Sequence, residues 1–284
     1  DIVGCNSPEI PWMSKELKIV KGLDKGLLVN WKHVYERLRR SAEQYSLDPE
    51  GKICGVPNYW GEDSIAYNKD LIPLEPTEVK LDLLFEEAGL GRKIGMYNWG
   101  PESVSVAGFY IKAKNPYDMT DDELKEAEEV LINQKPLVRI YYDTLGDLST
   151  LFAMGEVNRA WGWLPLIKPL REEGYPIYWA DIDKGMLGFW DGQAMTSECP
   201  EDKVEAANLF LNWSIGDEYQ VLMAKAVGYK CTSDLVPPLL TEEEKKWMFG
   251  LDNPDRWLSR VWMWEGGWER IADYTDVWER VMKA

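Results

Sequence analysis

Short apolar segments alternate along this chain with longer stretches whose apolar residues recur at helical spacing. This alternation is typical of α/β proteins, in which helices cover a sheet of buried strands. Residues 1–5 are predicted to be the end of a buried parallel strand that enters a loop. We predict further strands at 53–60, 64–67, 93–97, 138–142, 160–163, 176–179 and 192–195. A turn is expected at residues 61–63, between the first two of these strands.

Helix boundaries are marked by residue patterns of their own. Thr120 and Thr241 each precede a glutamate by three positions, which is the capping-box pattern at the start of a helix. Glycine follows two stretches with apolar residues at helical spacing and predicts their ends. The predicted helices include residues 28–47, 200–215, 217–227 and 273–283.

The connections between strand-rich regions suggest the domain organisation. A chain of 284 residues is long enough for one large domain or two of ordinary size. Residues 61–91 and residues 189–192 both connect the same two strand-rich regions. We therefore expect two α/β halves and a cleft where the chain crosses between them, because ligands of open α/β proteins bind at such points.

The charge of the chain restricts its partners. It contains 32 basic and 49 acidic residues, a formal net charge of −17. Such a charge repels nucleic acids and anionic lipids and attracts a cationic solute. The longest uncharged run, residues 206–216, is shorter than the roughly 20 residues of a membrane helix. We expect neither nucleic-acid binding nor a membrane span.

Residue types that carry common catalytic chemistry are scarce. His33 is the single histidine, lies in a polar helix-like stretch and is interpreted as a surface residue. We predict no catalytic residue, no metal site and no cofactor, although chemistry by carboxylates alone stays open. The four cysteines lack the C-x-x-C spacing, so they are either four buried thiols or two bridges formed in an oxidising compartment.

Four sequence stretches carry a resemblance to a known family. They are residues 56–61 (VPNYWG, followed by IAYN at 65–68), 155–158 (GEVN), 189–195 (FWDGQAM) and 226–229 (AVGY). In this order and spacing the chain resembles the spermidine/putrescine-binding proteins of bacterial ABC importers. Residues 205–213 and 278–284 also fit the family, so the resemblance extends over nearly the whole chain.

The resemblance implies a fold. It is the class II periplasmic-binding-protein fold, an α/β architecture of two lobes joined by two crossover strands that closes on its ligand like a hinge. Residues 1–66 and 192–236 would form lobe one, and residues 67–191 and 237–284 would form lobe two. The family has roughly fifty residues ahead of the position of Asp1, so we expect lobe one to be incomplete at its N-terminus.

Polar residues of the family's ligand site have counterparts here. Asp191 corresponds to a carboxylate that holds an amine, and Glu102 to a carboxylate at a helix start in lobe two. The alternatives are a turn residue for Asp191 and a first-turn acidic residue favoured by the helix dipole for Glu102. Asn6 and Glu265 correspond to further polar contacts.

Aromatic residues complete the expected site. Trp163 corresponds to a ring that stacks on the ligand, as does Phe189, or Trp190 if the alignment slips by one residue. Tyr229 corresponds to a pocket tyrosine, and Trp99 adds a ring where the family has one of two aspartates. Core packing is the alternative for the stacking rings. Fewer carboxylates and more rings would suit a smaller or more substituted amine, because aromatic faces attract cations.

The expected function follows from the resemblance. The protein would capture putrescine, spermidine or a quaternary or small cationic amine and deliver it to an ABC permease in the membrane. It would act as a monomer in the periplasm, or anchored outside the cytoplasm, and would make no covalent change to its ligand. Alternatives are a carbohydrate hydrolase with Glu102 and Asp191 as acid and base and an amine sensor. In this setting we predict the disulfides Cys5–Cys54 and Cys199–Cys231.

Overall fold

The fold is taken from a computed structural model that describes residues 1–182, 185–246, 251, 253–266 and 268–284. The strands found there are β1 (Ile2–Asn6), β2 (Gly55–Asn68), β3 (Ile94–Tyr97), β4 (Val138–Tyr142), β5 (Arg159–Trp163), β6 (Ile177–Trp179), β7 (Met186–Met195), β8 (Lys230–Cys231) and β9 (Val261–Met263). The α-helices are α1 (Ile10–Lys15), α2 (Glu36–Tyr45), α3 (Asp82–Phe85), α4 (Gly100–Ile111), α5 (Asp121–Gln134), α6 (Leu145–Ala153), α7 (Ile167–Glu172), α8 (Val204–Ser214), α9 (Asp217–Val227), α10 (Glu242–Lys246), α11 (Pro254–Leu258) and α12 (Ile271–Lys283). In this described part of the chain, no helix has both the length and the apolar character needed to cross a bilayer.

Several predicted elements are confirmed. β4 has the predicted bounds, and the strands predicted at 93–97, 160–163 and 176–179 differ from β3, β5 and β6 by one residue. α9 also has the predicted bounds and ends at Gly228, whose φ of 82° lies in the left-handed region that glycine adopts without strain. Thr120 and Thr241 each accept a hydrogen bond from the backbone N–H of the glutamate three positions later, as a capping box requires.

The predicted turn at residues 61–63 is wrong, because β2 continues through it. Asp63 pairs with Trp163 of β5, so the backbone hydrogen bonds of this segment are made within the sheet. The sequence Gly-Glu-Asp favours a turn only where its polar groups reach water. Here Glu62 and Asp63 are buried, and the ladder determines their conformation.

Two further elements differ from the predictions. β1 pairs antiparallel with β7, with Asn6 opposite Asp191, and is not the end of a parallel strand. The helix predicted at 28–47 is divided into a 3-10 segment, Val29–His33, and α2. Tyr35 separates them because its backbone is extended and its N–H donates to the carbonyl oxygen of Thr232 at 2.8 Å.

The chain divides into two compact units. Unit 1 comprises Asp1–Gly61 and Gly188–Trp268, and unit 2 comprises Glu62–Leu187 and Glu269–Ala284. The chain passes from one unit to the other within β2 and again within β7. These transitions lie a few residues before the boundaries predicted at 66/67 and 191/192.

The largest difference from the predicted lobes concerns residues 237–268, which were expected in lobe two. Their contacts assign them to unit 1. β9 pairs with β7, and Leu258 and Met263 belong to the apolar core of unit 1. The Glu265 carboxylate also forms an ion pair with Arg37 of α2. Apolar burial and charge pairing thus connect this segment to unit 1.

Unit 1 is built on a short sheet with the order β1-β7-β2. β8 is added to β2, with Tyr59 opposite Cys231, and β9 is added to β7. Trp60 and Trp190 are fully buried in the main core. The indole of Trp190 donates to the Ser41 hydroxyl at 2.8 Å, which satisfies its polar atom within the core.

Unit 2 is built on the order β2-β5-β3-β4, with β6 added to β2. β3 is parallel to both β4 and β5, whereas β5 and β6 are antiparallel to β2. α4 packs against α5 and α12, and it is buried along its first nine residues. This central position of α4 places its first turn, with Glu102, inside the unit.

The predicted disulfides are absent, because all four cysteines are free and buried thiols. Cys5 lies on β1 and Cys54 directly precedes β2, with β7 between these strands. Two strand spacings are about 9–10 Å, beyond the reach of a disulfide. Cys199 and Cys231 belong to separate apolar clusters of unit 1. Of the two alternatives left open by the sequence, the structure has the buried thiols.

Candidate functional site

Asp191 lies at the centre of a polar and aromatic group in unit 1. It is half-buried on β7, and its Oδ1 atom is buried with no hydrogen-bond partner among the residues that the structure describes. The Tyr59 hydroxyl donates to the carboxylate. Burial raises the pKa of Asp191 to about 7; the Tyr59 hydrogen bond acts in the opposite direction, and the nearby Glu9 carboxylate adds to the increase. Asp191 thus offers an acceptor atom to which none of the described residues donates.

Three aromatic rings form a contiguous group that reaches this carboxylate through Tyr59. Tyr59 and Tyr229 stack with centroids 4.8 Å apart, and Phe189 meets Tyr229 edge-on at 5.9 Å. Their close approach depends on Gly61, where an added Cβ would lie 3.1 Å from Phe189 and 3.4 Å from Tyr229. We call Tyr59, Phe189, Asp191 and Tyr229 the Asp191 cluster.

The strand geometry explains which predicted residues join this cluster. Phe189 and Asp191 are two positions apart on β7 and share one face, whereas Trp190 points to the other face and packs in the core. Gly192 is within the strand, where a side chain would overlap the carbonyl oxygen of Val56. Asp191 is therefore not a turn residue, and Trp190 has no exposed surface for a ligand.

The other two predicted site residues that lie in unit 1 have different surroundings. Asn6 lies at the end of β1, is exposed, and is directly opposite Asp191 in the β1–β7 register. Glu265 is largely buried, with 13% of its side chain exposed, and its charge is matched by Arg37. Asn6 is thus next to the Asp191 cluster, whereas the Glu265 carboxylate already has a cationic partner.

Glu102 has a different environment in unit 2. It is 3% exposed in the first turn of α4. The Trp161 indole donates to its Oε1 at 2.8 Å, and Asp63 is hydrogen-bonded to it. Burial raises the pKa of Glu102 to about 7, and these two hydrogen bonds act in the opposite direction. We call Glu102, Asp63 and Trp161 the Glu102 cluster.

Aromatic rings also adjoin the Glu102 cluster. Tyr97 meets Trp163 edge-on at 4.7 Å, and Trp99 and Tyr142 are within 6.4 Å and 5.5 Å of the Tyr97 ring. Burial raises the pKa of Tyr97, and the Glu102 carboxyl contributes to this increase. Trp99 and Trp163 are half-buried, so each keeps an accessible part of its ring. The three predicted site residues that lie in unit 2, Trp99, Glu102 and Trp163, are therefore in or beside one group.

The sequence-based prediction missed the hydrogen-bond partners of both carboxylates. An even number of residues separates the position of Tyr59 from that of Asp63 on β2. Because side chains alternate between the two faces of a strand, both would have been predicted on one face if the strand had been taken as continuous. The false turn at 61–63 concealed this pattern. Trp161 and Tyr97 gave no signal, because each contacts Glu102 only through the tertiary fold.

The described residues contain no group of three or more His, Cys, Asp or Glu side chains that could hold a metal ion. The chemistry available at both clusters is therefore that of carboxyl groups, phenols and aromatic faces. Such groups bind cations and amine hydrogen-bond donors.

Comparison with known proteins identifies the fold. No family model matches the sequence. An ABC transporter protein of Clostridium perfringens superposes with a TM-score of 0.77 at 19% identity, over 99% of this chain and 83% of that one. The spermidine/putrescine substrate-binding protein PotD of Streptococcus pneumoniae gives 0.81 at 15% identity, over 100% and 83%.

A third solved structure shows how widely ligands vary among similar folds. MotA of Agrobacterium tumefaciens, in complex with glucopine, has a TM-score of 0.73 at 16% identity, with 99% of this chain and 83% of that chain covered. Identities this low establish the architecture and leave the ligand to the site itself. The chain has the α/β fold of class II periplasmic substrate-binding proteins of ABC transporters, as predicted.

Proposed function

We propose that this protein binds a small cationic amine of the polyamine class outside the cytoplasm and passes it to the membrane permease of an ABC importer. The fold supports the general role of solute capture. The Asp191 cluster supports the chemical class of the ligand. Capture through closure of two lobes, implied by the resemblance to polyamine-binding proteins, stays a prediction.

The observation that carries this proposal is the unpartnered Oδ1 atom of Asp191. A buried acceptor without a donor destabilises a protein by about 1–3 kcal/mol, and a ligand that supplies the donor would remove this cost. An ammonium group carries both the positive charge and the N–H donors that this atom lacks. Its hydrogen bond to the carboxylate would contribute about 1.5–3 kcal/mol.

The rings make the same cluster suitable for a cation. Tyr59 adjoins the carboxylate, Tyr229 stacks on Tyr59 and Phe189 meets Tyr229 edge-on. Each cation–π contact with such rings contributes about 0.5–2 kcal/mol. Aromatic faces alone would equally suit a quaternary amine. The vacant acceptor favours an ammonium that bears N–H groups, because a quaternary nitrogen cannot donate. We therefore favour putrescine or spermidine over a quaternary amine.

In unit 2 we propose that aromatic rings contribute more to ligand binding than charged groups do. The Glu102 carboxyl already has Trp161 and Asp63 as partners. Trp99 and Trp163 are half-buried and present accessible ring surface. Methylene groups of an amine chain pack well on such surfaces. Glu102 would contribute to binding indirectly, by holding the Tyr97 and Trp163 rings in position.

The test is calorimetric titration with putrescine, spermidine and choline. The wild-type protein is expected to bind the first two amines more tightly than choline. Asp191→Asn keeps the size of the side chain and removes its charge, so the affinity for putrescine should fall about 100-fold, corresponding to about 2.7 kcal/mol.

Asp234→Asn is the matched control in unit 1. Asp234 is exposed and bonded to His33, away from the rings of the Asp191 cluster. Its variant should bind putrescine like the wild type. A wild-type affinity in Asp191→Asn, or tighter binding of choline than of putrescine, would refute the assignment.

A further inference from the structure

A groove on unit 1 has a charge opposite to that of the whole protein. It has a volume of about 470 Å³ and lies between the 3-10 segments Lys25–Leu27 and Val29–His33 and helix α2. We call it the α2 groove; its lining residues used below are Lys25, Lys32, Glu36, Arg39, Arg40 and Glu43. These four cations and two carboxylates leave the groove at +2 on a chain of net charge −17.

Ion pairs inside the groove account for four of these six charges. Glu43 accepts from the Lys25 ammonium at 2.6 Å and from the Trp31 indole at 3.0 Å. Glu36 is paired with Arg40 one helical turn away. Lys25 and Arg40 form the direct ion pairs with the two glutamates, whereas Lys32 and Arg39 have no direct ion pair among the described residues; Arg39 is near enough to Glu43 to help lower the pKa of that carboxyl.

Lys32 and Arg39 are held together without a carboxylate in direct contact. The Arg39 guanidinium donates to the backbone carbonyl oxygen of Lys32 at 3.3 Å, which places the two residues side by side. No ion pair connects either side chain with an acidic residue in the described part of the chain. The guanidinium thus keeps most of its five N–H donors for an external acceptor.

The floor of the groove is apolar. Leu28 and Trp31 are buried at its base, and Val29 is 63% exposed at its edge. An occupant that covers Val29 would gain hydrophobic stabilisation in addition to charge pairing. The groove therefore combines two unmatched cations with an apolar surface.

We propose that the α2 groove is a docking site for an acidic segment of a partner protein in which carboxylates flank an apolar side chain. The carboxylates would pair with Arg39 and Lys32, and the apolar side chain would cover Val29. Arginine binds a carboxylate through two parallel hydrogen bonds, which gives orientation as well as attraction. This site is independent of the proposed amine site, because Lys32 and Arg39 repel amines.

The charge distribution favours a peptide over a polyanion. Glu36 and Glu43 lie within the same groove, and the protein as a whole is strongly acidic. A nucleic acid or an anionic membrane would bring dense negative charge against both. A peptide carries its carboxylates singly and separated by neutral groups. It can therefore reach Arg39 and Lys32 with less repulsion.

The experiment is calorimetric titration of the whole chain at low ionic strength with a blocked heptapeptide of alternating Glu and Leu. The same peptide with Gln in place of Glu is the ligand control. Lys32→Glu/Arg39→Glu reverses the two unmatched charges. Lys80→Glu/Lys125→Glu is the protein control, because it changes the net charge equally on exposed residues of unit 2.

We expect the Glu peptide to bind the wild type and the protein control alike. The affinity of the Glu peptide should be about tenfold lower, or lower still, for the groove variant. The Gln peptide should bind the wild type more weakly than the Glu peptide by a similar factor. Putrescine binding should be the same in the groove variant as in the protein control, which separates this site from the amine site. Circular dichroism and thermal unfolding check that both variants are folded.

Three results would overturn the proposal. One is equal peptide affinity in the groove variant and the protein control. Another is equal binding of the Glu and Gln peptides, which would show an apolar surface without charge selectivity. The third is displacement of the peptide by inorganic phosphate at equal concentration, which would show a general anion site.

Discussion

The Asp191 cluster in unit 1 and the Glu102 cluster in unit 2 contain carboxyl groups whose pKa is raised to about 7 by burial. They differ in the side chains that reach them. The Trp161 indole donates to Glu102 and Asp63 adjoins it, whereas Tyr59 adjoins Asp191 and no described residue donates to the buried Oδ1 atom of Asp191. A raised pKa therefore marks burial in both units and does not by itself identify a ligand site.

The largest predicted effect is on the free energy of unfolding and tests the hydrogen bond from Trp161 to Glu102. Trp161→Phe removes the indole donor and leaves a cavity, so the free energy of unfolding should fall by about 2–4 kcal/mol. The loss should be greater at pH 8 than at pH 5, because the ionised Glu102 carboxylate needs the donor most. Chemical denaturation at both pH values measures it.

Trp190→Phe is the matched control for this prediction. Its indole is equally buried but donates to the neutral Ser41 hydroxyl. Its destabilisation should not depend on pH between 5 and 8. The same pH dependence in both variants would show that Glu102 does not need the Trp161 donor.

The second prediction concerns the pH dependence of amine affinity. An amine stays protonated below pH 9, so the titrating group is Asp191, with its pKa at about 7. Lowering the pH from 8 to 6 converts most of the carboxylate to the neutral acid and should weaken binding about tenfold. Calorimetry at the two pH values measures this ratio, and a flat profile would contradict it.

The third prediction concerns the stability of the protein without ligand. Raised carboxyl pKa values mean that the folded state binds more protons than the unfolded chain between about pH 4 and pH 7. The contribution of these two groups to the free energy of unfolding therefore falls as the pH rises through this window. The melting temperature should be higher at pH 5.5 than at pH 8 by about 2 °C or more.

Glu102→Gln combined with Asp191→Asn tests the origin of this difference. The double variant cannot titrate at either position, so its melting temperature should change less between the two pH values than that of the wild type. An unchanged difference would assign the pH dependence to other groups.

The smallest predicted effect belongs to Tyr59→Phe. The Tyr59 hydroxyl favours the ionised form of Asp191, and its removal should raise the pKa of that carboxyl further. Putrescine affinity should fall about threefold at pH 7 and approach the wild-type value at pH 9. A loss of the same size at both pH values would indicate lost ring packing instead.

Sequence patterns predicted the α/β class and several element bounds, including β4 and α9. They also pointed to Asp191, Phe189 and Tyr229, which the structure brings together. They failed where a local preference competes with tertiary contacts. The Gly61 segment was predicted as a turn but continues β2, and residues 28–47 break at Tyr35 because its backbone bonds to Thr232.

Periodicity, capping residues and charge are local or summed properties. The sequence alone determined the alternation of helices and strands and the acidic net charge. Only the tertiary structure decided which side chains reach each carboxylate. Trp161 and Asp63 reach Glu102 from distant positions in the chain, whereas none of the described residues donates to the Oδ1 atom of Asp191. Hydrogen bonds between distant residues depend on distances of a few ångströms, which no residue pattern encodes.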